Sequence, residues 1–235
     1  MIRRLLLVFA GCLALAACSG GQSGEPPAGN LFGNPGFEDG VRPWFSLESE
    51  AWGAPFAVST EQAREGTSSG LLTLRSQDGG PARVYGIVQD VTPDEFPELL
   101  SGAYYVERWE QGTPKQYLQA VVIVWGADNA PSELGDVENY QIRYVLAGVD
   151  APPLAISNAR YIMVGGGAPV TGRWVPFERN VRQDFEQQWG AAPEGFDSIR
   201  VFFEVRWDER DASDGPSAAD VYYDDLYLGA PPGAD

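Results

Sequence analysis

The chain has 235 residues, 33 of them acidic against 16 basic, and a formal charge of −17. That balance excludes binding along a phosphate backbone, because nothing here could neutralise a run of phosphates. There is no histidine, and the two cysteines are Cys12 and Cys18, so imidazole bases and zinc sets of the usual ligands are excluded as well. Seven Trp, ten Tyr and eleven Phe supply enough bulk for a real core and argue against a disordered acidic tail.

In chain order, Arg3 and Arg4 form a basic n-region ahead of an apolar run from Leu5 to Ala17. The run is shorter than the roughly 20 apolar residues that a membrane span needs. It ends in Leu15-Ala16-Ala17-Cys18, which resembles a bacterial lipoprotein cleavage box. The resemblance implies that residues 1–17 leave as a signal peptide and that the Cys18 thiol takes the lipid, diacylglycerol and acyl chains such as palmitate. Several acyl chains on one terminus make a stable anchor, whereas one alone is marginal. Ser19, by the same resemblance, points to the outer membrane when the host has two membranes. Losing Arg3 and Arg4 takes the charge from −17 to −19. Residues 18–29 are small, polar and proline-containing and read as a flexible tether.

The body, residues 30–229, reads as strands separated by turn clusters. Leu71 to Leu74, Val84 to Val91, Ala103 to Trp109, Tyr117 to Trp125, Tyr140 to Leu146, Tyr161 to Val164, Ile199 to Trp207 and Val221 to Leu228 are the strand candidates. Eight or more strands at this spacing predict an all-β sandwich or jelly roll. One helix interrupts them: Val181, Phe185 and Trp189 fall at i, i+4 and i+8, and Gly190 sits where a helix stops. It is expected to cover one end of the sandwich. Residues 230–235 are expected to be a disordered tail.

Strict alternation sorts the faces. Ile199, Val201, Phe203 and Val205 should face the core, which turns Arg200, Glu204 and Arg206 the other way. In Ala103 to Trp109, Tyr105, Glu107 and Trp109 share the face opposite Tyr104 and Val106. Rings beside carboxylates and guanidiniums suit a sugar, whose C–H faces stack on aromatics and whose hydroxyls need charged partners. The other reading of these positions is a solvated face, or one covered by the acidic segment near Asn129 to Asn139.

Five segments carry a family resemblance: Asn30 to Gly40 with its Asn34-Pro35-Gly36-Phe37-Glu38, Gly66 to Leu71, Tyr85 to Val91, Ser101 to Val106, and Ala219 to Leu228 with Tyr222-Tyr223-Asp224-Asp225-Leu226. Together they resemble the jelly-roll carbohydrate-binding modules of families four, nine and twenty-two, within the galactose-binding-like fold. Gly172 to Phe177 also fits a strand that these modules share, while the stretch from Asp128 to Pro153 and the helix are longer than the pattern. The resemblance implies a structural calcium ion between the first and last strands. Its ligands here would be Glu38 and Asp224, with Asp225 as the alternate, and Ca²⁺ does favour hard carboxylate oxygens. Asp224 is preferred because alternation puts it with Leu226 and Leu228.

These features point to a noncatalytic, lipid-anchored glycan binder of the cell envelope, with Tyr105, Glu107, Trp109, Arg200, Glu204 and Arg206 in the groove and polysaccharide as partner. Two other readings stay open. One is an envelope lipoprotein whose sandwich binds a protein partner. The other is a hydrolase or lyase using Glu107 and Glu204, since glycosidases set two carboxylates about 5 to 9.5 Å apart. Against hydrolysis, the Glu-x-Asp-x-x-Glu spacing of laminarinase-type sandwiches is missing, and Arg200 and Arg206 flank Glu204.

Overall fold

A computed structural model describes residues 28–47, 55–76 and 80–233. The leader, Cys12, Cys18, most of the tether and the last two residues lie outside the described residues. Among those described, the strands are β1 (Ala57–Ser59), β2 (Ser69–Arg75), β3 (Arg83–Val91), β4 (Leu99–Glu110), β5 (Gln116–Trp125), β6 (Asn139–Ala147), β7 (Leu154–Ile156), β8 (Ala159–Met163), β9 (Trp174–Asn180), β10 (Ser198–Trp207) and β11 (Ala218–Gly229). One helix, α1 (Val181–Trp189), falls between β9 and β10.

The strands form a five-stranded sheet, β1-β2-β11-β4-β9, and a six-stranded sheet, β3-β10-β5-β6-β8-β7. Setting aside the short strands β1, β7 and β8 leaves two antiparallel sheets, β2-β11-β4-β9 and β3-β10-β5-β6. That order is a jelly roll, in which the chain crosses repeatedly between sheets and its first and last long strands end side by side. The all-β jelly-roll expectation is met. The two short strands that the sequence pattern does not announce are β1 and β7, each three residues long.

The core lies between the inner faces. Ile199, Val201, Phe203, Val205 and Trp207 of β10 are all fully buried, as alternation requires. Phe203 is the hub: its ring centre lies 6.0 Å from Phe32, 6.0 Å from Trp44, 6.1 Å from Phe177 and 5.5 Å from Tyr223. Full burial of each such side chain stabilises by roughly 1.5–3 kcal/mol. The helix forms where its caps say it should. The Asn180 side chain accepts from Gln183 N at 2.9 Å, and Gly190 closes the last turn in the left-handed region at φ 91°. Phe185 packs edge-on against Phe96 and Tyr140, and Trp189 against Tyr140, so α1 closes the end where β4 and β6 begin.

Two bulges break the alternation where β4 and β11 pair, and a third shift falls between β5 and β6 at Leu118/Gln119. On β4, Arg108 pairs with Asp220 and Val106 with Val221, which leaves Glu107 as an extra residue. From there on the faces swap, and Trp109 pairs with buried Ala219 and packs against the core. On β11 the register slips again between Asp224 and Tyr227, with Asp225 in the left-handed region at φ 54°. Asp224 therefore pairs with Ala103 on the outer face, while Leu226 and Leu228 return to the core. Asp224 does not share their face, contrary to the alternation reading.

Candidate functional site

The six residues read as one groove do not come together. Tyr105 and Glu107 lie on the outer face of the five-stranded sheet, and Trp109 faces inward beyond the bulge. Arg200, Glu204 and Arg206 lie on the outer face of the other sheet, across the whole core. The acidic segment does not decide between open and covered either. Asp128 N donates to Glu194 O at 2.9 Å and Asn129 Nδ2 to Ala192 O at 2.7 Å, which ties it to the connection between α1 and β10.

On the five-stranded face, Leu71, Tyr222, Tyr105 and Trp174 form one row across four strands. The Tyr105 ring centre is 5.6 Å from Trp174 and 5.9 Å from Tyr222. The Tyr222 hydroxyl lies 3.0 Å from a Glu107 oxygen and 3.2 Å from a Glu61 oxygen, and donates its one proton between them. Burial first, and these two carboxylates next, push the Tyr222 hydroxyl up, so it stays protonated. Beside this row, Arg75 grips Asp220 with two hydrogen bonds of 2.7 and 2.8 Å.

The same face carries the residues that the resemblance assigned to calcium. Both Glu38 oxygens are engaged: Oε1 accepts from Thr67 N at 2.8 Å and Ser68 N at 2.7 Å, and Oε2 from Thr67 Oγ1 at 2.8 Å. Burial opposes the Glu38 charge, but these bonds prevail and hold its pKa below the ordinary value. Asp224 Oδ2 accepts from Arg64 N and Glu65 N at 2.7 and 3.1 Å, and Oδ1 from Asp225 N at 2.7 Å. Asp225 points toward Arg64, 3.6 Å away, with its side chain 43% exposed. Lone pairs engaged by N–H and O–H donors are not turned to a cation, and no three acidic, histidine or cysteine side chains converge on a metal position among the described residues. This donor set does not fit calcium. Five hydrogen bonds instead tie the 64–68 loop to the opening segment and to β11.

The six-stranded face is organised differently. Register places Val88, Phe202 and Val121 in one row, buried beneath Phe45 and Leu47. Arg200 sits beside them, bonded twice to Asp90 at 2.6 and 2.8 Å, and its guanidinium carbon lies 5.7 Å from the Phe45 ring centre. The next row is Gly86, Glu204, Gln119, Val145 and Met163. Glu204 is 1% exposed; its Oε2 accepts from Gln119 Nε2 and lies 3.5 Å from Arg206 Nη1, while its Oε1 has no protein partner.

The last row opens into a groove of about 570 Å³, the size of a small-molecule site. Tyr117, Tyr161, Arg206 and Asp208 are among its lining residues, with Lys115 and Glu209 at the rim as an ion pair. Arg206 Nη2 donates to Asp208 Oδ1 at 2.6 Å, and the Tyr117 hydroxyl donates to Asp208 Oδ2 at 2.7 Å. Burial works against the Arg206 charge, but Glu204 and Asp208 beside it hold the guanidinium above its ordinary pKa. Burial pushes the Tyr117 hydroxyl up, so it remains a donor. Of the six residues expected from the sequence, Arg206 alone lines this groove. Tyr117 carries no signal because β5 reads as a continuous apolar run, which hides its faces; Tyr161 on β8 and Asp208 just past β10 join it only through the sheet order and register.

No protein-family model and no curated protein matches the chain. Solved structures with a similar fold include the enzymatically active domain of a bacteriophage tailspike protein and carbohydrate-binding modules. One, solved with β-1,4-galactotriose, is 15% identical at a TM-score of 0.42, covering 85% of this chain and 97% of that one. Another, from the β-sandwich superfamily of such modules, is 14% identical at 0.49, covering 89% and 63%. The C-terminal family 22 module of Clostridium thermocellum Xyn10B is 14% identical at 0.47, covering 89% and 99%. The likeness is one of fold.

Proposed function

We propose that the protein is a noncatalytic glycan-binding domain, held at the cell envelope by lipid on Cys18. The groove on the six-stranded face carries this reading, because the half-buried Tyr161 ring stands there beside Arg206, Asp208 and the buried Tyr117. Rings offer stacking surfaces to sugar C–H faces, and the charged pair offers both donors and acceptors to hydroxyls. The carboxylate pair considered for hydrolysis is separated by the sandwich, Glu107 on one outer face and Glu204 on the other, too far apart to flank one glycosidic bond. The lipid anchor and an outer-membrane position rest on the Leu15 to Cys18 box and Ser19; labelling with a radioactive fatty acid in cells tests the first, and separation of the membranes by density tests the second. For the glycan, array binding by wild type that is lost in both Tyr161→Ala and Arg206→Ala supports the reading, and a silent array removes it.

A second reading has its own observation. Strand β7 is an outer edge of the six-stranded sheet, with Leu154 50% and Ile156 51% exposed. An exposed apolar edge is a template for a protein partner's strand.

A further inference from the structure

The groove has two unlike sides. One is polar and holds the Tyr117 hydroxyl, Arg206 and Asp208 in a fixed network. The other is aliphatic. Val145 and Met163 face each other across the parallel β6–β8 pair, and Leu154 pairs with Tyr161 on the far side of β8. Leu154 and Ile156 are two apart on β7, so they point the same way, and both line the groove while remaining half exposed. The strand that carries them turns sharply through Ser157, at φ 48°, and Asn158 to lie against β8, and so extends the apolar side beyond the sheet proper.

An unsubstituted sugar suits only the first side. A hydroxyl pressed against Val145, Met163, Leu154 or Ile156 loses water and meets neither a donor nor an acceptor, which is a cost. An ester at that position removes the hydroxyl proton and adds apolar carbon, and the same wall then becomes favourable. On the reading that the groove binds glycan, we propose that its ligand is an acylated one: the sugar lies at Tyr117, Arg206 and Asp208, and an O-acetyl or longer acyl group lies on the wall of Val145, Met163, Leu154 and Ile156.

Titration calorimetry of the full chain tests this with O-acetylated xylan, glucomannan and galactan, each beside its alkali-deacetylated form. The acylated form of at least one backbone should bind about tenfold or more tightly than its deacetylated partner. Replacing the two half-exposed wall residues in Leu154→Ser/Ile156→Ser should shrink that ratio below about threefold. Equal or tighter binding of deacetylated chains overturns the acyl assignment and leaves glycan binding standing. An undiminished ratio in the double variant overturns the wall assignment. Silence from every polysaccharide, acylated or not, overturns both readings, and binding of an extended apolar peptide in that case favours the protein partner.

Discussion

The two outer faces of the sandwich use the same residue types to opposite ends. On the five-stranded face, aromatics pack on one another and polar groups find partners within the protein: Tyr222 on Glu61 and Glu107, Arg75 on Asp220, and Asp224 on the 64–65 backbone. On the six-stranded face, half of the surface is sealed under Phe45 and Leu47, and the other half is an open groove. Next to that groove, Glu204 Oε1 and Gln119 Oε1 are buried without protein partners. Aromatic and charged side chains alone therefore do not make a binding face; what differs here is that the second face leaves a groove of about 570 Å³ open beside them. Around the Tyr105 row the first face satisfies itself, and the second carries the groove to which we assign the ligand.

The largest expected effect is on the closing side. Asp224→Ala strips the acceptor from three buried or half-buried N–H groups at once. Each donor left without a partner costs about 1–3 kcal/mol, and partial access to water brings the total to about 2–4 kcal/mol. Urea unfolding should show that loss while glycan binding by the folded fraction is unchanged. A shift in ligand affinity instead would erase the division between the faces.

Trp109→Ala comes next. Its ring packs against the core beyond the β4 bulge, so truncation should destabilise by about 2–3 kcal/mol, short of a fully buried tryptophan. It should leave ligand affinity alone, although alternation alone assigns Trp109 to the groove. This residue shows what was legible in the sequence. The long strands and the helix follow from periodicity, because burial on one face selects a period that the chain displays directly, and Gly190 marks the helix stop. A bulge adds one residue and reverses every face after it, with no mark in the pattern of Glu107-Arg108-Trp109 or Tyr223-Asp224-Asp225. Nor does a strand's own pattern say which sheet it joins. That is why alternation alone groups Tyr105 with Glu204, although they lie on different sheets. The groove escaped for a third reason: β7 is three residues long, and Tyr117 heads a strand that is apolar on both faces.

A smaller effect separates the two aromatic sets directly. Tyr161→Ala should weaken glycan binding by about tenfold, the scale of a lost stacking contact. Tyr105→Ala, on the far face, should change it by less than about twofold. Comparable losses from both variants would mean that the five-stranded row binds ligand after all.

The smallest expected effect is none. A calcium clamp and a hydrogen-bonded clamp predict different responses to the same reagent, because a ligand bound only to the native state raises its stability with concentration. Glu38 and Asp224 already receive six hydrogen bonds from the protein, four from the backbone of residues 64–68, one from the Thr67 hydroxyl and one from Asp225 N. Each carboxylate already accepts three of the roughly four bonds it can take, which leaves a cation about one lone pair on each. Excess chelator, and separately millimolar calcium, should therefore leave the melting temperature within about 1 °C, where a loss of about 1 kcal/mol in a chain of this length would shift it by about 2–4 °C. A melting temperature that rises with calcium and falls with chelator would show that the ends are closed by the ion and that the 64–68 loop gives way to it.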